Sequence, residues 1–375
     1  MKINKETGGQ QGFVSIFTVL FFMVLITVIT IGFLRIVISE QGQSQSNSLT
    51  ASALDAAKAG IEDGKRALLA YMNTADPTLK AQLASILNNP AAGCKDLYGN
   101  PSVANALGLD LTGKVEGASN LNESYSCLIV SPLSPDYQGS AGASTSTIVP
   151  LKAAGNFANI QVMWHDNADD GAVNWPIGTP TGAFPTQVAW NTAKSGKKTA
   201  EYLRLELIKT ANENTSGDPA NNQITPSGVT SSVVYLTPAQ AGNTANFGLP
   251  QPNISPVLCK TSGASQFACS VSLPVTGDGT SQYYLRVTPL YGPTHFVVCL
   301  ESCSAPVDFN GAQPIIDSTG QAADVFRRIK ARISLGSQVS LPEYSLESGH
   351  SVCKAFSVSD KIDTSNGDGA GCSVP

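Results

Sequence analysis

The chain opens with one long apolar run. Residues 13–34 are 22 positions without a charge, and a helix of that length spans about 33 Å, enough to cross a hydrocarbon core of about 30 Å. In lipid every backbone amide must be satisfied within its own segment, so the run must be helical although it is rich in Val, Ile and Thr. Arg35 lies near the far end, where its side chain reaches the head groups. The pattern predicts a transmembrane helix over 13–38.

A second apolar pattern follows the first and has helical spacing. The residues recur four or seven positions apart, which places them on one face of a helix that continues from the membrane: Leu49, Ala53, Ala57, Ile61, Leu68 and Met72. Asp76 and Pro77 then form an N-cap and first-turn pair for a short helix that ends at Asn88. Residues 39–92 are therefore predicted to form a juxtamembrane helix and a short second helix, packed as a helical hairpin.

From Cys94 onward the pattern becomes that of strands. In 202–208 (YLRLELI) three leucines alternate with Arg204 and Glu206, which predicts one buried and one solvated face. The segment 325–335 fits both a strand and a helix, and we interpret it as a strand. We expect sequential hairpins, with a turn at 290–294. The candidate strands are 125–130, 160–164, 202–208, 232–236, 267–275, 283–288, 295–300, 329–335 and 351–358.

These patterns predict an α+β protein: a long N-terminal transmembrane helix that extends into a soluble helix, followed by a disulfide-bearing, mainly antiparallel β region. A polar stretch, 212–228, has the composition of a loop or linker. It separates a first β-rich region, 93–211, from a second, 229–375. Whether these are one or two domains stays open, because about 300 residues suit either organisation.

Composition and charge narrow the function classes. Charged residues make up 14% of the 375 residues, with 34 Gly and 22 Pro, which is typical of short strands joined by many turns. The net charge is −5, so there is no basic field to hold nucleic acid. Two local basic clusters, 194–198 and 327–332, are interpreted as a solvated loop and the outer face of a strand. We expect no nucleic-acid partner.

The charges and cysteines predict which side of the membrane each part occupies. Lys2 and Lys5 precede the apolar run with only Glu6 against them, so the N-terminus is predicted to be cytoplasmic. All eight cysteines follow the run, their number is even and no C-x-x-C occurs, which favours disulfides in an extracytoplasmic part. Short intervals are the easiest to close, so the predicted pairs are Cys259 with Cys269, Cys299 with Cys303, Cys353 with Cys372 and, by elimination, Cys94 with Cys127.

The N-terminus resembles that of type IV prepilins. A short polar leader, 1–12, ends at Gly12, the apolar run begins abruptly at Phe13, and a small-residue, acidic helical segment follows, as in PilX-type minor pilins. The resemblance covers about the first 70 residues. It implies that a prepilin peptidase cuts after Gly12 and methylates Phe13, and that other pilin-like subunits and assembly proteins are partners. Pilins usually carry a Glu five residues into the mature chain, where this sequence has Phe17. PilX-type and tip-type minor subunits often lack this Glu as well.

Motifs for catalysis are missing from the sequence. There is no G-x-S-x-G, H-E-x-x-H, P-loop or G-x-G-x-x-G, so we expect a protein that is not an enzyme and has no cofactor. Two acidic loops, 165–171 and 360–371, lack the spacing of a calcium-binding EF-hand, and turn formation explains their composition as well. The weak calcium candidates are Asp360, Asp363, Asn366 and Asp368 in the second loop and Asp166, Asp169 and Asp170 in the first.

Three functions are compatible with these observations. The first is a minor pilin or pseudopilin-like subunit that initiates or caps a fibre. The second is an unprocessed, single-pass membrane-anchored surface protein with a β-rich adhesion or binding domain. The third is an anchored extracellular enzyme whose residues are distant in sequence. The junction between Gly12 and Phe13 discriminates the first from the second, and a cleft with paired titratable groups would indicate the third.

Overall fold

The protein combines one very long helix with a mainly antiparallel β region, as the α+β class requires. A computed structural model describes residues 11–89, 93–115, 123–173, 186–194, 196–211, 230–240, 242, 245–249, 253–260, 266–275 and 281–334. The helices are α1 (Gln11–Asn73), α2 (Pro77–Leu87), α3 (Pro101–Leu107) and α4 (Gln187–Lys194), and a π-helix covers Asn167–Gly171.

The thirteen strands among these residues form three sheets. Sheet I has the order β1-β12-β13. Sheet II has the order β11-β10-β4-β8, with β2 also paired to β10, and sheet III has the order β3-β9-β5-β6-β7. Only β6 and β7 pair in parallel. The strands are β1 (Ser124–Ser134), β2 (Tyr137–Ala141), β3 (Thr147–Pro150), β4 (Asn159–Asp166), β5 (Leu203–Ala211), β6 (Thr230–Ala239), β7 (Ile254–Leu258), β8 (Phe267–Pro274), β9 (Ser281–Pro289), β10 (Thr294–Ser302), β11 (Ala305–Val307), β12 (Phe309–Ala322) and β13 (Val325–Arg332).

Helices α1 and α2 follow the signals in the sequence. α1 is a single helix of 63 residues that ends at Asn73, and α2 begins where the Asp76 side chain accepts a hydrogen bond of 2.8 Å from the Thr78 amide. α3 lies inside the region 93–211 that we predicted to be β-rich, so the expectation of β structure from Cys94 onward is wrong for this segment. Its N-cap is Asn100, followed by Pro101, which is the same kind of signal that predicted α2.

Two hydrophobic cores organise the β region. Sheets II and III enclose the larger core, in which Trp164 and Val298 of sheet II cluster with Leu205 and Leu285 of sheet III. The alternation predicted for 202–208 is only partly present: Leu203 and Leu205 are fully buried, but the predicted solvated face is wrong, because Glu206 is buried and accepts a hydrogen bond of 2.8 Å from Arg286 of β9. The smaller core lies between α1, α2, α3 and sheet I and contains Leu68, Leu83, Tyr98, Leu128 and Ile316. We call the sheet II and III unit the sandwich, and everything after residue 49 the head.

The strand order corrects the expectation of sequential hairpins. β9 and β10 flank the predicted turn, yet β9 lies in sheet III and β10 in sheet II, where its partners are β2, β4 and β11. β1 pairs with β12 although Ser124 and its partner Gln321 are nearly 200 positions apart. Each sheet contains strands from both sides of 212–228. The polar stretch is therefore not a boundary between two β domains.

Candidate functional site

The first half of α1 carries a continuous apolar surface that the head leaves uncovered. Between Ile16 and Ile38 its large apolar side chains are 40–67% exposed, except that of Val37, which is half-buried, and Phe17 is 65% exposed. Thr27 and Thr30 donate their hydroxyls to carbonyls four residues earlier, at 2.7 and 2.8 Å, so these polar groups are satisfied inside the helix. This helix is long and apolar enough to cross a membrane by length and composition. The surface suits lipid or other apolar helices.

The second half of α1 packs on sheet I through small residues. Ala53, Ala56, Ala57, Gly60 and Gly64 are all buried along the same side of the helix. Because these side chains are small, the helix backbone approaches β12 closely. We call this contact the small-residue seam.

Glycines lie on both sides of the seam. A Cβ atom at Gly320 of β12 would overlap the Ala53 carbonyl oxygen and the Ala57 amide nitrogen, and it would lie 2.9 Å from the Ala56 carbonyl carbon. On the helix, a Cβ atom at Gly64 would lie 2.7 Å from Cγ2 of Ile316. A side chain at Gly320 would have to displace the helix backbone, whereas a side chain at Gly64 would have to displace the side chain of Ile316.

Polar contacts fix the rotation of α1 on the sheet. Tyr125 of β1 donates a hydrogen bond of 2.9 Å to Asp63, and burial followed by the Asp63 charge raises the pKa of this phenol, which keeps it protonated. Arg66 lies 3.4 Å from the same carboxylate and donates to the carbonyl of Leu107 at the end of α3. At the other end of the seam, Arg327 donates to the Thr50 hydroxyl at 3.2 Å. α1 is thus held along about five turns.

The helix face predicted from the apolar spacing is largely buried in the structure, but its membership needs correction. Ala53, Ala57, Ile61 and Leu68 are buried as predicted, whereas Leu49 is only half-buried and Met72, which is 44% exposed, does not belong to the face. The glycines of the seam were missed, because a search for apolar spacing gives Gly no weight. The recurrence of Ala and Gly at three- and four-residue intervals was the signal available in the sequence.

The residues predicted for processing and assembly lie in the uncovered half of α1. The helix begins at Gln11, so Gly12 and Phe13 are within its first turn, and Phe17 lies on its exposed surface. The described residues contain the disulfides Cys94–Cys127, Cys259–Cys269 and Cys299–Cys303, which are three of the four predicted pairs. The remaining calls lie outside the described residues: Cys353, Cys372, the calcium candidates Asp360, Asp363, Asn366 and Asp368, and the strand predicted at 351–358.

The first acidic loop forms a hydrogen-bonded cluster. Asp170 accepts from Nδ1 of His295 at 2.6 Å and from the His295 amide at 2.9 Å. Asp166 accepts from Gln266 at 2.7 Å and from the Ala168 amide; these bonds outweigh the effect of burial and lower its pKa. The bond to Asp170 raises the pKa of His295. The carboxylates therefore join the π-helix to sheet II, and no group of three His, Cys, Asp or Glu side chains in the described part of the chain could hold a metal ion.

A second buried carboxylate is also used structurally. Glu201 is 2% exposed, accepts from Nε1 of Trp190 at 3.1 Å and pairs with Lys194, so both α4 residues are bound to it. Tyr202 packs edge-on against Trp190, and burial raises the pKa of this tyrosine to about 12. These contacts fasten α4 to the sandwich.

The basic cluster at 327–332 lies on β13, as the strand interpretation predicted. Arg328 donates to Asp317 at 2.7 Å and Arg332 donates to Asp136 at 2.6 Å, so two of its cations are balanced within the head. This arrangement is that of a structural edge strand, and the expected absence of nucleic-acid binding stays a prediction.

Comparisons with protein-family models, curated proteins and solved structures give no match to this chain. The structural feature of the described residues that bears most directly on function is the division of α1 between an uncovered apolar half and a packed half.

Proposed function

We propose that this protein is a membrane-anchored minor pilin or pseudopilin-like subunit with a structural role. The observation that carries the proposal is the division of α1. A subunit that is stored in a bilayer and then transferred to a fibre needs a helix that is apolar all round and free of its own head, because lipid and then neighbouring helices must cover it. The uncovered half meets this need, and the small-residue seam packs the other half against sheet I.

The proposed partners follow from the position of each part. The membrane surrounds the uncovered half, a prepilin peptidase acts at the cytoplasmic Gly12–Phe13 bond, and other pilin-like subunits and assembly proteins contact the helix in a fibre. The disulfides of the head support an extracytoplasmic location for everything after the anchor.

Phe17 supports a rare, terminal position in the fibre. A subunit inside a fibre buries its α-amino group among apolar helices, and an unpaired charge there costs several kcal/mol. Phe17 offers no carboxylate to a neighbouring amine, so we propose that this subunit initiates or caps the fibre. The size of the head agrees, because a sandwich on every subunit would crowd a tightly packed fibre.

Mass spectrometry of the N-terminal peptide from producing cells tests the proposal. We expect the mature chain to begin at Phe13 with a methylated amine. A Gly12→Leu variant is the matched control and should keep its leader, since the peptidase requires the small residue before the apolar run. Intact residues 1–11 on most wild-type molecules would contradict processing and with it the pilin assignment.

The second candidate is an unprocessed, single-pass anchored surface protein with a β-rich adhesion or binding domain. The observation that favours it is the sandwich, which has its own hydrophobic core and is much larger than the packing of α1 requires. Retention of the leader together with surface exposure of the head would support this candidate.

A further inference from the structure

One stretch of α1 has neither lipid-like side chains nor a packing partner. Residues 39–48, SEQGQSQSNS, lie between the apolar half and the seam, and all ten are exposed. Every side chain there is polar or absent, and Glu40 is the one charged residue. None of these side chains makes a hydrogen bond or ion pair with another residue in the described part of the chain.

Such a segment has little reason of its own to remain helical. Ser, Asn and Gly are weak helix formers, because Ser and Asn side chains compete for backbone hydrogen bonds and Gly loses the most backbone freedom. A helix that is polar all round and lacks packing or ion pairs is stabilised only by its neighbours. Here the apolar half on one side and the seam on the other both enforce helix, so the segment continues a helix that is nucleated at both ends.

We propose that residues 39–48 form a hinge that opens and closes between the anchor and the head. The inference rests on the proposed membrane anchoring and is independent of processing and fibre assembly. As a helix, ten residues span about 15 Å, whereas an extended chain of ten reaches at most about 35 Å. Opening the hinge therefore lets the head tilt freely and rise by up to about 20 Å without any change in the seam.

Hydrogen exchange followed by mass spectrometry tests the hinge on the full chain in nanodiscs of phosphatidylcholine and phosphatidylglycerol. We expect the amides of 41–48 to exchange at least about 100-fold faster than those of 53–68, which the seam protects. A variant with Gly42→Ala, Ser44→Ala, Ser46→Ala and Ser48→Ala replaces weak helix formers with the strongest one. Exchange in 41–48 should then slow by about tenfold or more, with no change elsewhere.

The matched control is Ser85→Ala, which makes the same substitution at an exposed position of α2 and should leave 41–48 unchanged. Wild-type exchange in 41–48 as slow as that in 53–68 would overturn the hinge, and so would a quadruple variant that exchanges like the wild type. The amides of 20–34 report the anchor separately. If they exchange rapidly in nanodiscs, the helix is not inserted, and the proposed anchoring fails rather than the helical weakness of the segment.

Discussion

Replacing Gly320 with alanine is expected to separate α1 from sheet I. The added Cβ atom would overlap two backbone atoms of the helix, the Ala53 carbonyl oxygen and the Ala57 amide nitrogen, and lie 2.9 Å from a third atom, the Ala56 carbonyl carbon. Backbone atoms cannot rotate away as a side chain can. Either the helix moves back or β12 bends, and both responses open the seam.

The size of the effect follows from that movement. Extra methyl groups in well-packed interiors cost about 1–3 kcal/mol, and a gap of about 0.5–1 Å forfeits roughly a quarter to a half of each dispersion contact along the seam. We therefore expect a loss of about 3 kcal/mol in the free energy of unfolding. For a domain of about 150–250 residues this corresponds to a fall in melting temperature of about 6–12 °C.

Thermal unfolding of the full chain in detergent micelles, followed by circular dichroism, measures the loss. Hydrogen exchange of 53–68 reports whether the seam itself has opened, which matters because the two cores need not unfold together. Gly155→Ala is the matched control, since its Cβ atom would meet only Cγ1 of Val307, at 3.7 Å. The control should change stability by less than about 0.5 kcal/mol.

Alanine substitutions at three glycines test the close approach of α1 and β12. At Gly64 the added methyl group meets the Ile316 side chain, and at Gly60 it meets Ser318 and the Tyr125 ring, so these side chains can adjust. Alanine should therefore destabilise less at positions 60 and 64 than at Gly320. If Gly320→Ala unfolds at the same temperature as Gly155→Ala, the close approach of α1 and β12 is wrong.

Three further predictions concern the head and the anchor. Replacing Cys94 and Cys127 with alanine should lower stability by about 4 kcal/mol, because the bond closes a loop of 33 residues; chemical denaturation measures it. The bond to Asp170 raises the pKa of His295 above its usual value, so the protonated imidazole stabilises the head fully below about pH 6.5. That contribution is lost as the pH rises through the folded-state pKa, and His295→Gln should flatten the melting temperature between pH 6 and 8. Phe17→Glu should raise the copy number of this subunit in purified fibres relative to the major pilin.

Each of these predictions has an outcome that would contradict it. Removing Cys299 and Cys303 opens a loop of only 4 residues and should cost about 2 kcal/mol, so an equal cost for both pairs would contradict the loop argument. An unchanged pH profile in His295→Gln would show that its bond to Asp170 contributes nothing to folding. An unchanged copy number in the Phe17 variant would refute the electrostatic reason for a terminal position.

Local signals in the sequence predicted the helices best. A run of 22 uncharged residues has one stable backbone solution in lipid, and the Asp76-Pro77 pair fixes the start of α2 through a single side-chain hydrogen bond. α3 was missed although Asn100-Pro101 is equivalent, because strand formers further along the chain dominated the interpretation of that region. Turn and cap residues carry position information that average composition conceals.

The sheet order could not be predicted from the sequence. Alternation identifies a strand and its buried face, as at Leu203 and Leu205, but it is silent about the partner. The pairing of β1 with β12 depends on contacts between residues nearly 200 positions apart, which no local pattern in the sequence reports. The Asp166 and Asp170 carboxylates were ambiguous for the same reason, since their partners are distant in sequence: Gln266 immediately precedes β8 and His295 lies in β10.

The position of the seam along α1 sets the distance along the helix between its apolar half and its first contact with sheet I. Small residues first meet β12 at Ala53, which lies 15 residues, or about 22 Å, beyond Ile38 at the end of the apolar half. The same spacing leaves residues 39–48 without contacts, which is the basis of the proposed hinge. Insertion of two helical turns of Ala-rich sequence at position 44 should preserve the seam while stiffening the connection between the apolar half and the seam. We expect spin-label measurements to show that the head of this variant tilts less than that of the wild type. An unchanged tilt would contradict the proposed hinge.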